Sequence, residues 1–387
     1  MYIWLATNLD FFFLSGKCYM KELTILIPSL RGGGLEKSIL TLACEIEKRG
    51  FDLDFVVVNT IKSAYEVSPS LNFINLNTSR ILFAIFPLVK YLRKAKPRVL
   101  FSAGTPLNSI AVIARWISGY PKRLILGERN HLSSIVKNSN RFRDKLRPFF
   151  VKYLYPKADL IVAVSKSVAE DVVDAGDLDK NKVLIIHNIF DVDNIIAQAK
   201  EPIGLSWLDE QNIPTLVNVG RLNLQKDQAT LLKAFALVRD KKPCQLIILG
   251  EGEERSSLEQ LTKDLNISND IYMPGFVDNP YSYMLRANML ILSSAWEGLP
   301  GVLVEALACG TSIVSTDCPG GASEILKNGK YGTLVKPGDP DQIAKAILTV
   351  LEKPMATEVL IHRARDFSLK KIIPEYLDIF QLESNES

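Results

Sequence analysis

Nowhere in this 387-residue chain is there an unbroken apolar run of the roughly 18 residues that a membrane-spanning helix needs. Histidine occurs only three times, and no DxD pair stands out at a strand end, so neither a histidine-built nor an acidic metal site is expected. The five cysteines, Cys18, Cys44, Cys244, Cys309 and Cys318, form no CxxC pair and keep no regular spacing. That pattern fits reduced thiols in a cytosolic protein rather than disulfides or zinc ligands, and Cys309 and Cys318 read as buried small hydrophobes. The GxGxxG dinucleotide fingerprint is missing: begun at Gly32, it would need glycine where Lys37 stands. No recognised nucleic-acid module occurs, which argues against nucleic acid as a partner. The opening "MYIWLATNLDFFFLSGKCYM" lacks the basic start of a signal peptide, and Asp10 interrupts its apolar stretch. Met20 then precedes a clean strand, so residues 1–19 are expected to be an extension of little structural role, and the chain to stay inside the cell.

What is present is a globular composition, 47% hydrophobic and 23% charged, on a chain long enough for two domains. The net charge of +3 is unevenly divided. Residues 1–195 hold 27 Lys/Arg against 18 Asp/Glu, a net of +9, whereas residues 196–387 hold 19 against 25, a net of −6. A basic half beside an acidic half implies that one lobe meets something anionic.

Apolar β-branched runs recur at 23–28, 53–58, 98–102, 123–127, 159–165 and 183–188, separated by helix-length segments. Most are continuous rather than alternating, as in parallel strands covered on both faces. The alternation restarts at 215–220, 245–250, 289–293 and 312–316. The fold class is therefore α/β: two Rossmann-like, doubly wound domains in tandem, facing a central cleft. The boundaries are set at 20–198 for the first domain, 199–209 for a linker and 210–368 for the second. A last helical segment, 369–387, is expected to pack back on the first domain.

In open α/β sheets, ligands bind beyond the carboxyl ends of strands. After the first strand comes "SLRGGGLEKS", whose glycines let backbone approach a ligand next to a helix start. After the first strand of the second domain, "GRLNLQKD" places Arg221 and Lys226 in a short loop, where two cations suit a diphosphate or are merely solvated. "SSAWEGLPGVLVEALACG" then sets Glu297 just before a helix that begins near Pro300, and Glu305 about one turn inside it. A glutamate among Val302, Leu303, Val304 and Leu307 needs a partner. It either accepts from ligand hydroxyls, such as those of a ribose, or bonds a neighbouring Arg.

Together, E-x7-E in "WEGLPGVLVEALACGTSIVSTDCPGG", "GRLNLQKD" before it and "GGGLEKSIL" near the start resemble a family 4 retaining glycosyltransferase of the GT-B fold. The resemblance runs from about Lys21 onward, and looks nearest to bacterial transferases of O-antigen, capsule and lipid-linked glycans. It implies that Glu305 binds the ribose hydroxyls of a UDP-sugar and that Glu297 contacts the donor sugar near its anomeric carbon. Arg221 and Lys226 would neutralise the diphosphate with no metal or other cofactor, aided by backbone at Gly301 and Val302. Gly250 and Val277 match loops that hold the base, while Gly33 and Gly34 belong to the loop that closes over the diphosphate. On the acceptor side, His131 is a catalytic candidate that positions an acceptor hydroxyl or a donor phosphate, and Glu128 or Arg129 would anchor the acceptor.

Two basic segments carry apolar residues at helical spacing. One is 80–98, with six basic residues and no acid; the other is 136–157, with seven basic residues and one acid. Such segments lie on an anionic bilayer or turn an apolar face to the core. With a lipid-linked glycan acceptor implied, peripheral attachment at the cytoplasmic face of the inner membrane is expected. Competing readings are a UDP-sugar hydrolase or epimerase of the same fold, an NAD-dependent Rossmann enzyme, and a transferase subunit without catalysis.

Overall fold

A computed structural model of the chain describes residues 21–60, 65–139, 141–205 and 213–382. The expected extension at 1–19 and part of the expected linker lie outside these residues. Seven strands form the first sheet: β1 (Leu23–Ser29), β2 (Leu53–Asn59), β3 (Asn72–Asn75), β4 (Val99–Ala103), β5 (Arg123–Glu128), β6 (Leu160–Ala163) and β7 (Val183–Ile185). Their order is β3-β2-β1-β4-β5-β6-β7, and every pairing is parallel. The second sheet contains β8 (Thr215–Val219), β9 (Gln245–Leu249), β10 (Ile271–Gly275), β11 (Met289–Leu292), β12 (Ser312–Thr316) and β13 (Thr333–Val335). It runs β10-β9-β8-β11-β12-β13, again all parallel. Each order reverses beside its first strand, so each sheet has a switch point where loops diverge and leave room for a ligand.

The residues explain both the elements found by pattern and those missed. β2 and β4 are buried along their whole length, hence their unbroken apolar runs. The strands without such a run are β3, β10 and β13, all at sheet edges. β3 is NFIN, mostly exposed, β10 carries Pro274, and β13 has three residues. The basic segment 136–157 is not one helix: Phe142–Lys145 stops at Leu146, and Pro148 lies in the first turn of Arg147–Leu154.

The expected domain boundary needs correction. Residues to 198 were assigned to the first domain, yet helix Val192–Ala199 buries Val192, Ile195 and Ala199 in the second domain's core with Tyr281 and Met284. Those residues recur at helical spacing, and their apolar stripe packs mainly on helices Tyr281–Arg286 and Gly301–Cys309 of the second domain. The chain crosses between domains at Phe190 and again at Ser368, and these two crossings pair as a parallel bridge. After the second crossing, helix Leu369–Phe380 inserts Ile372, Ile373, Tyr376 and Phe380 into the first domain's core. Burying each large apolar side chain of this kind is worth about 1.5–3 kcal/mol, which ties the chain's end to a domain it left some 180 residues earlier.

Candidate active site

Helix Gly301–Cys309 starts after Pro300 and ends at Gly310, whose φ of +71° suits glycine. Its first intrahelical bond runs from the Leu303 amide to the Pro300 carbonyl at 3.0 Å, so the amides of Gly301 and Val302 precede it. Immediately before it, Glu297 is 5% exposed. Its Oε1 accepts from Ser294 Oγ at 2.6 Å and lies 2.6 Å from Lys226 Nζ. Lys226 thus neutralises Glu297 directly, a contact the sequence reading did not include. A carboxylate this buried needs such a partner, because leaving it unpaired is strongly destabilising. Cys318 lies within the field of this pair, and burial together with Glu297 pushes its thiol up to about 12, which excludes it as a thiolate nucleophile.

One turn into the helix, Glu305 is not bonded to an arginine. It accepts from Tyr281 Oη at 3.1 Å and faces Lys37 Nζ at 3.5 Å. Lys37 also lies 4.5 Å from the Tyr281 ring centroid. Lys37 belongs to helix Gly34–Lys48 of the first domain, so this contact spans the cleft. Arg221 is exposed at the mouth, and its field reaches Glu36 of the same first-domain helix. Burial raises the Glu36 carboxyl above its ordinary range, while its own backbone amide, Arg221 and Ser29 partly offset this. Lys37, Glu36 and Tyr281 were missed: the first two sit one turn beyond the glycines, and Tyr281 carries no sequence signal.

The glycines serve backbone contacts. Gly33 is extended and bonds Tyr65 Oη through both its amide and its carbonyl, each at 3.2 Å. Gly34 has open space around it. Gly250 has φ +141°, and a Cβ there would collide with the Gly220 carbonyl, just before Arg221. A Cβ on Gly301 would meet the Phe190 ring at 3.0 Å. Val302 and Val277 are partly buried against the second domain's core.

The acceptor-side expectations need correction. Glu128 is 1% exposed at the end of β5 and accepts from Thr105 Oγ1 (2.7 Å), Tyr155 Oη (2.8 Å) and the Arg129 amide (3.2 Å). Burial holds its carboxyl above the usual range. Arg129, 6% exposed, donates to Asn188 Oδ1 (2.8 Å) and Tyr376 Oη (3.0 Å). Both side chains are buried within the first domain, Glu128 against Thr105 and Tyr155 and Arg129 against Phe101, Asn188 and Tyr376, so neither is exposed to anchor an acceptor. Asn188, just beyond β7, is thus this arginine's acceptor. His131 caps helix Leu132–Asn138: its Nδ1 accepts from the Ser134 amide at 3.3 Å, with Asp171 Oδ2 at 3.5 Å. The turn it occupies abuts the Glu297 turn, since a Cβ on Gly298 would land on the Arg129 carbonyl.

Among the described residues, no group of three or more His, Cys, Asp or Glu is placed to hold a metal ion. No described helix is long and apolar enough to cross a membrane.

Residues 32–194 match the family model for glycosyltransferase family 4, and residues 206–367 that for glycosyl transferases group 1. A Campylobacter jejuni protein is 32% identical over 357 residues, spanning 89% of this chain and 94% of its own. It is named an N-acetylgalactosamine-N,N'-diacetylbacillosaminyl-diphospho-undecaprenol 4-alpha-N-acetylgalactosaminyltransferase. The lipopolysaccharide 1,6-galactosyltransferase of Escherichia coli is 25% identical, over 58% of each chain. In three dimensions, HepE of Anabaena, solved with UDP and glucose, superposes with a TM-score of 0.78 at 19% identity, over 94% of this chain and 100% of its own. That likeness speaks to the fold.

Proposed function

The chain belongs to glycosyltransferase family 4 and has the GT-B fold, and from that premise we propose that it moves a hexose or N-acetylhexosamine, with retention, from a UDP-sugar to a polyprenyl-diphosphate-linked glycan in bacterial surface polysaccharide synthesis. The observation that carries this reading is the cluster at one helix N-terminus: the Lys226–Glu297 pair, Arg221 at the mouth and Glu305 one turn in. A departing diphosphate gains from two cations and free helix amides held in place before reaction. Glu305 has the ribose hydroxyls as partners in place of Lys37. The Campylobacter jejuni relative, whose name includes a diphospho-undecaprenol acceptor, supports the lipid-linked class.

His131 acts as a donor in this scheme. Nδ1 is engaged by Ser134, which leaves Nε2 as the ring nitrogen that meets a phosphate or hydroxyl oxygen. Glu128 is buried, so no first-domain carboxylate of that loop serves as base. A phosphate oxygen of the leaving group takes the acceptor's proton as the sugar transfers on the same face.

Peripheral membrane contact is part of the proposal. Leu82, Phe83 and Phe86 are exposed, Phe86 by 79%, beside Arg80, Arg93 and Lys94. Phe142, Phe149, Phe150 and Tyr153 are likewise exposed among Arg141, Arg143, Lys145 and Lys152, and the Phe149 ring packs tilted against Tyr153 at 4.7 Å. Aromatic tips amid cations suit an anionic lipid surface on the cytoplasmic side.

Calorimetry with UDP, GDP, ADP, NAD and a panel of UDP-sugars, EDTA present throughout, tests the donor. UDP binding that survives EDTA and is lost in Arg221→Ala and Glu305→Ala is the expected result. Absence of UDP binding, or binding only with added metal, defeats the metal-free UDP-sugar reading.

A further inference from the structure

Two chain crossings join the domains, and both converge on one buried guanidinium. The first crossing, at Phe190, is two residues beyond Asn188, whose Oδ1 accepts from Arg129 Nη1 at 2.8 Å. The second, at Ser368, leads into the last helix, where Tyr376 Oη accepts from Arg129 Nη2 at 3.0 Å. Phe101 completes the seat: its ring lies 5.6 Å from the guanidinium carbon and 5.8 Å from the Tyr376 ring. The Arg129 side chain is therefore placed by residues 59 and 247 positions away. Its backbone faces the other way. The Arg129 carbonyl occupies the space where a Gly298 Cβ would sit, and the Asn130 Cα lies 3.4 Å from the same point. Gly298 follows Glu297 directly, and His131 follows Asn130.

We propose that Arg129, held by Tyr376 and Asn188, is a positioning residue that sets the spacing between the His131 turn and the Glu297 turn, so that the last helix governs transfer without touching substrate. A planar fork suits this task, because two fixed N–H directions pin the group to both crossings at once. The turn then meets the second domain backbone to backbone, a contact with little freedom to give. The inference rests on the reading that transfer occurs between these two turns.

Tyr376→Phe in the full-length chain removes the acceptor and keeps the ring. With the UDP-sugar that the donor panel selects, kcat should fall about tenfold, since small misplacements at reacting groups are costly. Donor KM and the UDP dissociation constant should stay within about twofold, because Arg221, Lys226 and Glu305 are untouched. Ile373→Val, a change in the same helix's core, controls for stability: it should lower the melting temperature and leave kcat unchanged. Retained kcat in Tyr376→Phe, or an equal kcat loss in Ile373→Val, overturns the proposal. An activity-free readout separates this failure from that of the transfer reading. The chain has three histidines, so a 13C-histidine NMR spectrum resolves them by single substitutions. Tyr376→Phe should shift the His131 ring signal and leave His362 in place; an unmoved His131 signal overturns the positioning role even if no donor is turned over.

Discussion

The two domains offer their loops to the same cleft in different ways. The second domain gathers charged side chains on one another at strand ends and one helix start: Lys226 pairs with the buried Glu297, Arg221 is exposed, and Glu305 faces Lys37. Between β5 and β6 the first domain does the reverse. Glu128 and Arg129 turn their side chains inward, and the Arg129 carbonyl with Asn130 meets the second domain instead. Burial alone does not separate the two sets, since Glu297 at 5% exposed is as covered as Arg129 at 6%; what differs is the partner, the Lys226 cation for Glu297 and first-domain side chains for Glu128 and Arg129. In the first domain the last helix and the β7 crossing cover Arg129, and Thr105 with Tyr155 covers Glu128.

The sharpest test of this contrast is Lys226→Ala. It leaves Glu297 buried without its cation, which should cost about 3–5 kcal/mol of stability and abolish turnover, read by denaturant melts and UDP release. A small loss of stability would mean that Glu297 is not committed to this pair. Next is Gly298→Ala, whose methyl would strike the Arg129 carbonyl. The turns must part, and a loss of about 1–3 kcal/mol with a large fall in kcat is expected, while UDP affinity measured by calorimetry is kept. If activity were untouched, the backbone contact between the turns would be irrelevant to transfer.

Glu128 supplies a third test, through pH. Burial raises its folded-state pKa above the unfolded value, so the folded state binds its proton more tightly. Its contribution to stability is full below the unfolded pKa and declines as pH rises through the raised one. Relative to Glu128→Gln, the wild-type protein should lose stability as pH climbs from about 4 toward neutrality, seen in paired melts. A constant difference across that range would show that Glu128 is solvated after all. The smallest effect belongs to Lys37→Met. Its contact with Glu305 is long and 43% exposed at the lysine, and exposed pairs are worth about 0–1 kcal/mol. UDP affinity should change by less than about fivefold. A loss as large as that from Arg221→Ala would break the contrast and make the first domain a charged partner of the donor.

Much of this was legible in the residues. The continuous runs at 53–58 and 98–102 are buried strands, and "GRLNLQKD" and the E-x7-E block do gather at one helix start. The edge strands were not legible, because β3 and β13 lack the burial that makes an apolar run necessary. Nor were Tyr281 and Tyr376, whose hydroxyls matter only through partners 24 and 247 residues away.

The sequence by itself determined the alternation of strand and helix, the two-sheet architecture and the charged groups of the candidate site, since period, apolar run length and loop chemistry are local properties. Tertiary structure alone decided that helix Val192–Ala199 serves the second domain, that the last helix returns to the first, and that Glu128 and Arg129 face inward. A local pattern states that a side chain needs cover or a partner. Which distant segment supplies it is settled only when the chain packs, because burial and pairing are properties of neighbours in space.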